Sequence, residues 1–170
     1  MNIFVTSPNP KESAVCLPDK HVVKMPLECC QMLSIIASNE WGNGYGKLPK
    51  SDGTWYKTLR GAFRNHPCTK WAAHNEHNSR WLIEWGLHLC EEYEIRYKKI
   101  HACLIALLRA LDIFPEGQSE LATNFVRAMP DEYKFDQTID TFTAYKKYLA
   151  HKPWVSGNYL KLPKRKPDWV

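Results

Sequence analysis

Nothing in this 170-residue chain spells a metal module, a phosphate loop or a membrane span. Its six cysteines, Cys16, Cys29, Cys30, Cys68, Cys90 and Cys103, form no CxxC pair and no zinc-type knuckle, so they read as reduced thiols and no metal is expected. No apolar run approaches the roughly 18 residues that a membrane span needs. Nothing at the N-terminus reads as a signal peptide, and the expectation is a cytoplasmic protein with no membrane partner. The glycines of Trp41-Gly42-Asn43-Gly44-Tyr45-Gly46 alternate without the GxxxxGK[ST] or GxGxxG spacing, which removes a nucleotide cradle and leaves no cofactor to expect. No internal repeat is visible.

What is present is charge and aromatic surface. The length suits one domain with a sizeable core. Seven Trp and eight Tyr supply flat, partly polar surface to bury or to offer to a ligand. The formal net charge of +5 favours an anionic partner, nucleic acid or nucleotide. Oligomeric state is not legible.

The chain is organised around Leu17 to Ile36. On a helix of about 100° per residue, Val22, Met25, Cys29, Met32, Leu33 and Ile36 fall on one apolar stripe. His21, Lys24, Glu28 and Gln31 form a polar stripe bordering it, so titratable groups stack on the shoulder of a buried face. Asp19 is the expected N-cap. Pro26, inside the helix, removes a donor and kinks it one turn before Glu28.

The rest reads as helices and loops: a short strand or threaded arm over Met1 to Val5, a short helix from Lys11 to Cys16, and a long loop from Asn39 to Ala62, read as mobile surface or as a lid over a site. One long helix is expected from Pro67 to about Tyr97, a central core helix from Ile100 to Leu111, and a last helix from about Thr138 to His151. The tail interleaves basic and aromatic residues. It suits phosphate contact with base stacking, or packing of its tryptophans over the core. The expected fold is all-α: one compact domain over residues 1–170, of about five to six helices, with an extended N-terminal arm and an aromatic C-terminal tail.

Further site candidates sit on these elements. Arg64, Asn65 and His66 precede a helix N-terminus, where backbone donors favour an anion. Asn75 and Asn78 interrupt the seam of the long helix, either to bond a neighbouring helix or to line a wet pocket. Arg96 shares one side of its helix with Tyr93, Tyr97 and His101. With Lys24, these are the expected phosphate-binding groups.

Asp19-Lys20-His21 with Glu28 resembles the first helix of the phage pyrimidine-dimer DNA glycosylase and abasic lyase family known as endonuclease V. There a D-Q-H triplet is followed, seven residues after its His, by a catalytic Glu. The stretch looks still more like small phage proteins carrying D-K-H-V-V-K-M-x-x-E and an N-H-P motif, here Asn65-His66-Pro67. The resemblance implies an N-terminal α-amine that attacks the sugar C1′, with the Glu assisting base departure and elimination. Carried over, it makes Met1, Glu28 and His21 the catalytic candidates and the host cytoplasm the setting. An unperturbed α-amine titrates near pH ~8, so part of it is neutral at pH 7. Three positions depart from the family pattern. Asn2 is a bulky second residue that hinders Met removal, and Leu27 and Cys29 stand where the family's Glu is flanked by arginines. Two functions of different class therefore stand: a glycosylase or lyase, and a non-catalytic binder of nucleotide or nucleic acid using the same cations.

Overall fold

The computed structural model describes residues 1–170. Seven α-helices form one compact all-helical domain: α1 (Pro10–Val15), α2 (Asp19–Ala37), α3 (Pro67–Ala73), α4 (Glu76–Tyr97), α5 (Leu104–Ile113), α6 (Asp131–Lys134) and α7 (Thr141–Ala150). No helix is long and apolar enough to cross a membrane. The apolar stripe of α2 is buried along its whole length, against α3, α4 and α5. Its first residue, Asp19, does not cap the helix. Its carboxylate instead pairs with Arg96 and accepts the Lys161 N–H.

The expected helix from Pro67 to Tyr97 is broken at His74 and Asn75. Asn75 is extended (φ −156°, ψ 169°) and its side chain accepts the Asn78 N–H at 2.8 Å, capping α4. Asn78 donates from Nδ2 to the Trp71 carbonyl at 3.0 Å and accepts the Thr123 N–H at 3.1 Å. Both amides thus serve the groups that a helix break leaves unpaired. Beyond the break, Trp81, Leu82, Ile83, Trp85 and Leu89 of α4 fill the core. A Cβ on Gly86 would stand 2.7 Å from Leu107 and 3.3 Å from the Cys29 Cβ, so α4, not α5, is the helix the others press against.

The central role expected for the 100–111 segment is overturned. Only Ala106, Leu107 and Ala110 of α5 are buried, while Ile105 and Leu108 are about half exposed. The N-terminal segment is a threaded arm and not a strand, with Ile3 and Val5 fully buried. The tail packs over the core: Trp154 meets His21 edge-on, Tyr159 donates to the Cys16 carbonyl, and Arg165 forks onto Glu92 at 2.6 and 3.2 Å.

The segment from Asn39 to Ala62, read as mobile, is pinned at several points. Leu48 is buried, the Trp41 indole donates to the Thr58 carbonyl at 2.9 Å, and Lys50 and Thr54 close a turn at 2.7 Å. A Gly-rich composition had suggested freedom. The buried leucine and the closed turn supply the anchors that composition does not reveal.

Candidate active site

Glu28 lies on α2 two residues past Pro26 and is buried, with the N-terminal arm crossing over it. Its Oε2 accepts the Asn2 N–H at 3.0 Å and stands 3.7 Å from the Met1 nitrogen, while Lys24 reaches Oε1 at 3.2 Å. One carboxylate therefore faces an α-amine on one side and an exposed ammonium on the other. The arm is held in place by its own side chains. Asn2 donates to the Ala128 carbonyl at 2.6 Å, and its Oδ1 accepts the N–H groups of Ile3 and Phe4. Ala128 is fixed in turn by Tyr145 of α7, whose hydroxyl accepts the Ala128 N–H and donates to the Val126 carbonyl.

The Met1 side chain is only 3% exposed and accepts a weak contact from the Thr69 hydroxyl at 3.9 Å. The residue as a whole is half-buried, so what remains accessible is its main chain. It opens into a cavity of about 650 Å³ lined by Met1, His66, Arg127, Met129, Lys134 and Phe135, among others. His66 caps α3 by accepting the Cys68 N–H on Nδ1, which leaves the proton of the neutral ring on Nε2. Burial holds its pKa below the ordinary histidine value, the Met1 ammonium adds to that, and Glu28 opposes it. Burial pushes the neighbouring Cys68 thiol up to about 12, so its sulfur stays protonated at neutral pH.

Arg127, Lys134 and Phe135 were missed by sequence reasoning. Arg127 clips the loop after it by donating to the carbonyls of Tyr133, Asp136 and Ile139. Lys134 sits 5.0 Å over the Phe135 ring. The only signal for this wall was the acidic, aromatic turn at Met129 to Tyr133, which marks a loop without indicating what it faces. No three His, Cys, Asp or Glu side chains converge so as to hold a metal ion.

The other expected site residues go elsewhere. His21 touches neither Glu28 nor Met1. Its ring stacks on Phe4 at 4.2 Å and meets Trp154 at 5.4 Å, with a buried, unpartnered Nδ1. Burial drives its pKa to about 3, with Lys152 and Lys24 adding to the shift, so it is a neutral packing ring under the arm. Arg64 lies 4.4 Å over Trp41 and donates to the Gly61 carbonyl, with no carboxylate partner, and Asn65 beside it is exposed. Asn75 and Asn78 are consumed by the helix break. Arg96 is fully buried and all its hydrogen-bonding nitrogens are engaged, by Glu92, Asp19 and the carbonyls of Leu17 and Val15, so no phosphate reaches it.

A family model described as pyrimidine dimer DNA glycosylase matches residues 1–104, which span the arm, α1, α2, the pinned loop, α3 and α4. No curated protein and no solved structure matches the chain.

Proposed function

The chain belongs to the pyrimidine dimer DNA glycosylase family, and from that premise we propose that it removes damaged or modified bases from DNA and cleaves the resulting abasic site, using the Met1 amine and Glu28. The observation that carries this reading is the 3.7 Å approach of the Met1 nitrogen to the Glu28 carboxylate at the mouth of a cavity. An amine so placed needs a base beside it and open space before it, and both are present.

In the proposed sequence the neutral Met1 amine bonds to the sugar C1′. The glycosidic bond breaks with its electron pair going to the base, which takes a proton as it leaves. The ring opens to an imine between Met1 and C1′. Glu28 accepts the amine's proton during attack and passes it to the ring oxygen as the ring opens; the carboxylate so regenerated takes a proton from C2′, and the C3′–O bond breaks with its electron pair leaving on the 3′ phosphate. Lys24 and Arg64, both exposed, would hold flanking phosphates. His66, with its Nε2–H free, would donate a hydrogen bond to the departing base or the ring oxygen, the proton that the base takes coming from solvent.

A second nucleophile is favoured by one distance: in a chain without Met1, the Asn2 nitrogen, 3.0 Å from Glu28, would itself be the amine. Borohydride reduction in the presence of abasic DNA tests both. A covalent adduct is expected, peptide mapping assigns it to Met1 or Asn2, and acetylation of the terminus abolishes it. Glu28→Gln keeps the shape and most hydrogen bonds but loses the proton acceptor, and single-turnover cleavage should fall about 100-fold or more with little change in affinity. If no abasic, damaged or modified DNA gives an adduct, the reading is wrong and a binding role replaces it.

A further inference from the structure

Apart from the Met1 cavity, with which it shares no lining residue, the pinned loop makes a groove of about 850 Å³ lined by Lys47, Trp55, Lys57, Leu59, Arg60 and Glu40. It runs, through the shared residues Tyr56, Lys57 and Ala62, into a second hollow of about 480 Å³ against α2, where Leu27, Gln31 and Phe63 form the wall. Leu27 precedes Glu28 in the chain, so this hollow meets α2 one residue from that carboxylate.

The groove's chemistry is lopsided. Lys47, Lys57 and Arg60 are exposed, and none of them pairs with a carboxylate. The one acid in the wall, Glu40, accepts the Thr58 hydroxyl at 3.2 Å, and nearby Asp52 is taken up by Thr54. Trp55 is 51% exposed and Phe63 44%. Phe63 is held at φ 68°, a left-handed conformation that a bulky side chain seldom adopts, in a loop otherwise tied down by backbone bonds. Flat rings left in water beside unpaired cations match a polyanion that has exposed π-faces. Paired bases inside a duplex have no free faces, whereas an unpaired strand offers one per nucleotide.

We propose that this groove seats an unpaired nucleic-acid strand, with bases stacked on Trp55 and Phe63 and phosphates met by Lys47, Lys57 and Arg60. The proposal rests on the DNA reading of the neighbouring site for its choice of polyanion, and it adds a partner surface that the amine chemistry does not require. A base drawn out of a duplex leaves its nucleotide and the opposite one unpaired, and the groove would hold such an unpaired segment beside α2.

The test uses the full chain, a fluorescein-labelled oligothymidylate and an abasic duplex. Trp55→Ala and the double variant Lys57→Ala with Arg60→Ala should each weaken single-strand binding by about tenfold or more. The double variant should also lower the slope of log affinity against log salt by roughly 1.4, or about 0.7 for each lost cation. All three side chains are exposed, so melting temperatures should match the parent, and borohydride adduct formation at saturating protein should be unchanged. Single-strand affinity equal to the parent's in both variants overturns the proposal, and so does a parent that does not bind the oligothymidylate at all. If single-strand binding depends on these residues while no adduct forms, the groove stands and the glycosylase reading falls.

Discussion

His21 offers the sharpest test of how the arm is held over Glu28. Its ring is buried between Phe4 and Trp154, and burial lowers its pKa from 6.5 to about 3, with the ammonium groups of Lys152 and Lys24 adding to the effect and Lys20 lying 4.9 Å over Trp154. The unfolded chain therefore binds a proton that the folded chain refuses across the window between those two values. Because the folded value is the lower one, this contribution to stability is complete above pH ~6.5 and is lost as the pH falls toward 3. Integrated over that window, the loss is about 2 kcal/mol between pH 7.5 and pH 5, and roughly 3 kcal/mol by pH 4. His21→Phe keeps a ring against Phe4, removes the unpartnered Nδ1 and cannot titrate. Urea unfolding of parent and variant at pH 7.5 and pH 5 isolates the histidine, since carboxylates common to both chains cancel in the difference. The parent should lose about 2 kcal/mol more than the variant. Equal losses in the two chains would refute the assignment of His21 as a neutral ring. Because Phe4 is at φ 36° and continues the arm that carries Asn2 to Glu28, acid should also loosen the site before it unfolds the domain.

Other outcomes follow from the same contacts. Lys24→Ala and Arg64→Ala should each weaken binding of abasic DNA and lower its salt slope by about one, and unchanged slopes in both would exclude phosphate contact there. Arg96→Met leaves Glu92 and Asp19 buried without their shared partner and should cost about 3 to 5 kcal/mol in urea unfolding, while a loss below ~1 kcal/mol would mean that Arg165 and the Lys161 N–H suffice. Gly86→Ala places a methyl against Leu107 and Cys29 and should cost about 1 to 3 kcal/mol. A variant as stable as the parent would show that α5 moves aside freely.

The amino-acid sequence by itself determined which face of α2 is buried, because six apolar residues at helical spacing have one way to leave water together. It also carried the all-helical class and the seven-residue spacing from His21 to Glu28. Tertiary structure decided what each polar residue does. Asn75 and Asn78 could end one helix or line a pocket, and only the position of Trp71 and Thr123 chose the former. Arg96 looked like a free cation until Asp19 and Glu92, remote in sequence or one turn back, closed around it. The α5 stretch is apolar enough to be a core helix, yet α4 brought larger rings and took the centre, leaving Ile105 and Leu108 outside. The cavity wall of Arg127, Lys134 and Phe135 faces Met1 from more than a hundred residues away. Periodicity reports that a side chain must avoid or seek water, a local property. Which partner satisfies it depends on the contacts that chain folding brings together, and no local pattern encodes those.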